Sequence, residues 1–149
     1  MSLLSPAVGV RETRKLQGVY RVTGKDLAKG TKFADGIVSC DNPIDDVMRP
    51  KADMTHDEAI EPGSYYTIPF RALIPETVTN LMFAGRILSA EVVACVSVRG
   101  MPQCMAMGQA TGTAAALALR AGCTFQALDT GLLVAELAKQ GVNRIGCSV

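Results

Sequence analysis

Residues 100–122 read G-M-P-Q-C-M-A-M-G-Q-A-T-G-T-A-A-A-L-A-L-R-A-G, and the way this stretch folds decides the architecture of the chain. Pro102 suits a first helical turn, where a missing N–H costs nothing. Gly122 suits the residue that ends a helix. Between them Gly108, Gly112 and Ala116 recur every four positions, with Ala110, Ala114 and Ala118 on a neighbouring stripe. Residues four apart share a helix face, so one face is nearly bare of side chains. A glycine costs a helix about 1 kcal/mol relative to alanine. Two on one face imply close approach by another backbone or by a flat ligand. The stretch is also long enough for a bilayer and uncharged between Arg99 and Arg120. Its glycines and its polar Gln103, Gln109, Thr111 and Thr113 argue against a membrane span and for a buried helix in a soluble protein.

C-terminal to this helix, Asp129 reads as the cap of a last helix over residues 130–140. Leu133 and Leu137 turn inward there, and Gly141 follows. On the N-terminal side, Leu81-Met82-Phe83-Ala84 is a short apolar run of the kind found in strands buried on both faces, ending at Gly85-Arg86. Tyr65 to Arg71 is rich in strand formers, but Pro69 cannot donate a ladder hydrogen bond, which predicts an edge or bulged strand. Further back, residues 42–63 hold three prolines and many carboxylates and read as an irregular, exposed connection. Ile37 to Cys40 and Val19 to Val22 are candidate strands. Thr23 with Asp26 three residues on marks a short helix ending before Gly30. These elements give a mixed α/β or α+β chain: few strands, a long small-residue helix and a C-terminal helix.

Composition narrows the function. Hydrophobic residues make up 48% and charged residues 19% of the 149, as expected of a folded domain with a core. A net charge of +1 and the lack of any basic run leave no electrostatic footprint for nucleic acid. The five cysteines, Cys40, Cys95, Cys104, Cys123 and Cys147, form no C-x-x-C, and His56 is the single histidine, so no metal site is expected. Reduced thiols and the absence of an apolar segment after Met1 place the chain in the cytoplasm.

Two arrangements carry chemistry. Gly85 lets main chain approach a ligand without an intervening side chain, and Arg86 beside it suits a phosphate or carboxylate. The run from Arg99 to Thr113 puts a helix N-terminus, with unpaired N–H groups and about half a positive charge, where an anionic group would sit. The plainer readings are a strand-to-turn glycine with a surface arginine and a tightly packed core helix. His56 is a further acid–base candidate, although a solvated loop histidine has the same sequence signature.

The strings Y-Y-T-I-P-F-R-A-L-I-P-E-T-V-T-N-L-M-F-A-G-R-I-L-S-A and S-V-R-G-M-P-Q-C-M-A-M-G-Q-A-T-G-T-A-A-A-L-A closely resemble the C-terminal region of a family of FAD-dependent oxidoreductases. That family is grouped with the flavoprotein subunit of heterodisulfide reductase. V-R-E-T-R-K-L-Q-G-V-Y-R-V-T-G-K-D and G-T-K-F-A-D-G-I resemble it as well, so the likeness runs from Val10 to about Gly141. The resemblance implies a portion of a glutathione-reductase-like FAD-binding fold, with residues 1–64 in a partial substrate-side region and 65–149 in the C-terminal part of the FAD-binding domain. It implies FAD as cofactor, contacted by Gly85 and Arg86 at the ribityl and pyrophosphate. Gly108, Gln109, Ala110, Thr111, Gly112 and Thr113 would form a helix start facing the ring, with Arg99 leading into it. Arg11, Arg14 and Arg71 match basic positions lining the cavity, and Arg99, Arg71 and His56 are the catalytic candidates. Gly100 and Gln103 stand where relatives often have Val and Thr.

No G-x-G-x-x-G occurs in the chain, although such enzymes bind the ADP half of FAD on a βαβ unit carrying it. The expected partner is therefore the remaining N-terminal part of a parent chain, with a small-molecule substrate and no nucleic acid or membrane. The portion alone is expected to be inactive. Two readings stay beside this one: a non-redox binding module using the same helix end, and a structural piece that forms a homodimer through Gly108, Gly112 and Ala116.

Overall fold

The computed structural model describes residues 12–44, 60 and 63–142. Arg11, His56, Cys147 and most of the 42–63 connection lie outside the described residues. Within them the chain is mixed α/β, with four α-helices, two 3-10 turns and a two-stranded sheet.

Helix α1, Gly24–Ala28, is set by its cap. Thr23 Oγ1 accepts from the Asp26 amide, and the Asp26 carboxylate accepts from the Thr23 amide, so two otherwise orphaned donors are satisfied reciprocally. The same carboxylate takes the Tyr20 hydroxyl at 2.9 Å, and burial together with that bond pushes the Tyr20 pKa up to about 12. Strand β1, Gly36–Cys40, then pairs antiparallel with β2, Tyr66–Pro69. The register breaks between Gly36 and Val38, opposite Pro69, as expected for a proline that has no N–H to donate. This sheet joins the segment before residue 64 to the segment after it. A 3-10 turn, Phe70–Ala72, carries β2 into Leu73 and Ile74, all buried except Arg71.

Two expected strands do not form. Residues 18 and 22 make only isolated bridges, to Pro75 and Ala90, and Val19 between them is 48% exposed. The segment is instead held by single backbone bonds from Leu16 to Ile87, Val19 to Ile74 and Val22 to Ser89. The apolar run 81–84 is likewise irregular. It has a backbone bond from Phe83 to Leu73, and Leu81 is 43% exposed. A strand buried on both faces needs neighbouring strands, and none lies beside this run among the described residues.

Helix α2, Val92–Val98, is followed after Arg99 and Gly100 by α3, Met101–Ala121. Helix α2 starts with the Cys95 N–H bonding the Glu91 carbonyl at 2.8 Å. The Glu91 side chain reaches instead to the amide of Gly24 at 3.1 Å, binding α1 to α2. Helix α3 ends at Gly122 with φ of 62°, the left-handed conformation that favours glycine. Helix α4, Thr130–Lys139, is capped by Asp129, which accepts from Gly131 and Leu132, and it buries Leu133 and Leu137 as its spacing predicts.

Met107, Ala110, Ala114 and Ala118 of α3 pack with Tyr66, Ile68, Leu73, Leu88 and Leu133 in one continuous core. Gly36 is the tightest point of the sheet. A Cβ there would lie 2.5 Å from Thr67 Oγ1, which is pinned as acceptor of the Phe33 amide at 2.8 Å. Gly36→Ala is expected to lower unfolding stability by about 1–3 kcal/mol. A urea titration reads this as a lower midpoint with unchanged slope, and an unmoved midpoint would mean the sheet gives way there freely.

Candidate functional site

Helix α3 carries the candidate run from Gly108 to Thr113. It begins at Met101, with Gly100 as cap and Pro102 in the first turn. The free amides of a helix N-terminus therefore belong to residues 100–103, not to the run 108–113, whose N–H groups lie inside the helix and bond the preceding turn. The expectation of a helix start at Gly108 is corrected on this point.

The run from Gly108 to Thr113 is also spread around the helix. Ala110 is fully buried in the core. Thr111 bonds back to the carbonyls of Met107 and Gly108, at 3.1 and 2.9 Å. Gln109 and Thr113 both reach Gln140 Oε1 at the end of α4, at 3.0 and 3.2 Å, so they fasten α3 to α4. Gly108 and Gly112 are exposed, and a Cβ on either would meet nothing within 4 Å. They are the middle of a longer stripe. Met101, Met105 and Leu119 are 81%, 76% and 85% exposed, and they fall on the same face by helical spacing. A flat apolar surface thus runs the length of α3, opposite its core face.

The turn at Gly85 flanks this surface. Gly85 has φ of 84°, and a Cβ there would lie 3.7 Å from Cys104 Sγ on the first turns of α3. The fold therefore brings the two separate sequence features, Gly85-Arg86 and α3, to one place. Arg86 is exposed and its charge acts on Cys104.

Arg99 and Arg71 make structural contacts. Arg99 pairs with Glu12 at 3.6 Å, and Glu12 also holds Lys15. Arg71 lies over the rings of Tyr20 and Phe33, 4.8 and 5.4 Å from their centres, and faces Asp35 at 3.7 Å. Arg14 is exposed. Neither Arg71 nor Arg99 is brought to the open face of α3 by a contact with Gly108 or Gly112.

Sequence reasoning missed a cavity of about 420 Å³ on a different side of α3, between its first turns and β1. The residues around it are tied by a polar network. Asn42 Nδ2 donates to the Ser97 carbonyl at 3.0 Å, Ser97 Oγ donates to the Asn42 carbonyl, and the Tyr66 hydroxyl bonds Ser97 Oγ at 2.7 Å. Burial, first of all, pushes the Tyr66 phenol far above its usual range, so it stays a neutral hydroxyl. The cavity's lining residues come from β1, the turn after it, the start of α3 and Val142, and no local spacing joins them in the sequence.

Cys40, Cys95, Cys104 and Cys123 are free thiols. No group of three metal-ligating side chains, and no helix long and apolar enough to cross a membrane, occurs among the described residues.

Compared with known families, the chain matches the FAD dependent oxidoreductase family over residues 2–140. No curated protein and no solved structure matches it.

The Cys104 thiol offers a check on the Gly85-Arg86 placement. Burial pushes its pKa up from 9.0, while the Arg86 charge pulls it back. Alkylation of Cys104, followed peptide by peptide in mass spectrometry, is expected to keep rising beyond pH 9, and Arg86→Ala is expected to move the rise further up. A plateau reached below pH 8 would contradict both the burial and the role of Arg86.

Proposed function

The chain belongs to the FAD-dependent oxidoreductase family, and from that premise we propose that it forms the flavin-facing C-terminal portion of such an enzyme. The observation that carries this reading is the open face of α3. Two glycines on the middle of a 21-residue helix cost the chain helical stability. No neighbour in the described structure takes the space they leave. A planar ring laid on Gly108 and Gly112 gives that space a use, and the positive-φ turn at Gly85 lets main chain approach from one side. These residues fit the cofactor.

Bound FAD supplies hydride transfer at its N5. This chain's residues would do the holding. Gly108 and Gly112 would admit the ring flush against the helix, and Arg86 would pair with a phosphate. The first-turn amides of α3 would offer a positive field to an anionic part of the bound group. Arg99, Arg71 and His56 remain the catalytic candidates. Arg99 and Arg71 would act there only after leaving Glu12 and the Tyr20–Phe33 pair.

The ADP half of the cofactor requires a glycine-rich βαβ unit, which this sequence lacks. We therefore assign that unit to an N-terminal part of the parent chain, which would also cover Met101, Met105 and Leu119 and give the run 81–84 its neighbouring strands. Homodimerisation through the same apolar stripe is the competing reading, since it would cover the same side chains.

The 149 residues alone are expected to purify colourless and to retain no FAD through gel filtration. A yellow preparation would overturn the division of the cofactor site, and concentration-dependent sedimentation that Met105→Glu abolishes would favour the dimer. Gly108→Ala and Gly112→Ala are expected to act in opposite directions in two assays. Each should stabilise the isolated chain by up to about 1 kcal/mol, because the added methyl meets nothing and improves helix propensity. Each should weaken flavin retention in the longer enzyme. Unchanged retention with both alanines in place would remove the ring from this face.

A further inference from the structure

Residues 12–16 form no helix or strand, yet they join two parts of the chain that lie far apart in sequence. The Leu16 amide donates to the Ile87 carbonyl at 2.7 Å, just past Gly85 and Arg86. Lys15 Nζ donates to the Ala90 carbonyl at 3.3 Å. Glu12 holds Lys15 with one carboxylate oxygen at 2.5 Å and faces Arg99, the residue that ends α2, with the other at 3.6 Å. One carboxylate thus ties the segment before α2 to the corner between α2 and α3.

This tie is mainly electrostatic. Thr13 and Arg14 are exposed and Leu16 is only partly buried, so little apolar surface holds the segment down. Glu12, Lys15 and Arg99 are 22%, 19% and 18% exposed, and removing one partner from a largely desolvated group leaves the others with uncompensated charge. Without Glu12 the two cations lose the anion they share. Cys95 is completely buried, and its thiol lies beside both Glu12 and Lys15, so these two side chains stand between it and solvent on this side.

We propose that residues 12–16 are a strap with Glu12 as its clasp, and that it opens as one piece, with the core intact, to free Arg99 and uncover Cys95. Calling the released Arg99 catalytic rests on the oxidoreductase reading above; the opening itself requires no flavin.

Iodoacetamide on Cys95 and phenylglyoxal on Arg99 report the two ends of this movement in the native 149-residue chain. Both are read peptide by peptide in mass spectrometry, with the buried Cys40 as the monitor of global unfolding. Glu12→Gln is expected to raise the rate at Cys95 roughly tenfold and to leave Cys40 unmoved. Loss of that negative charge also eases ionisation of the thiol, so Lys15→Gln is the deciding variant. Through charge alone Lys15→Gln would slow Cys95, because the lysine favours the thiolate. Through the strap it is expected to speed Cys95 roughly threefold and, with Glu12 still present, to raise the labelling of Arg99 as well. No rise at Cys95 in Glu12→Gln would overturn the proposal. So would Cys95 or Arg99 labelling in Lys15→Gln that is unchanged or slower, or Cys40 rising in step with Cys95. Because no flavin enters either assay, those results would leave the cofactor reading standing, and unchanged flavin retention in the glycine variants of the longer enzyme would leave the strap standing.

Discussion

The packing of a nearly side-chain-free helix against a two-stranded sheet governs the rest of this structure. Ala110, Ala114 and Ala118 present only methyl groups to the core, so α3 sits close to β1 and α4. That closeness has two effects. It buries Tyr66, Ile68 and Leu133 completely within a chain that has few large apolar residues in its longest element. It also leaves the opposite face of the same helix with nothing to pack, because the chain has no further described element to place there. Dispersion and apolar burial reward contact rather than residue size, so a helix of small residues is stable where a backbone comes close and idle where none does.

Much of this was legible in the sequence wherever the signal was local. The Thr23 capping box, Pro102 and Gly122 at the ends of α3, the Asp129 cap and the inward Leu133 and Leu137 all depend on residues within a turn of one another, and all appear as read. Pro69 marked a sheet irregularity correctly because the missing N–H is a property of the residue itself. The failures are of the opposite kind. Residues 19–22 and 81–84 have strand-like composition, but a strand exists only through a neighbour, and composition cannot supply one.

The candidate site shows the same division. A contiguous run from Gly108 to Thr113 looks like one motif when written on a line. On a helix its members point in different directions, so the buried Ala110, the self-bonded Thr111 and the α4-tethered Gln109 and Thr113 have structural work, while the glycines face outward. The convergence of Gly85 on Cys104 and the cavity at β1 join residues far apart in sequence, and no spacing rule announces either.

The contact of Gln103 over Gly100 makes the first turn of α3 answer as a unit. A Cβ at position 100 would stand 2.1 Å from the oxygen at the far end of the glutamine, so a side chain there turns the amide away and frees its hold on Cys40. A change at a residue without a side chain is thereby passed to strand β1, which carries Cys40.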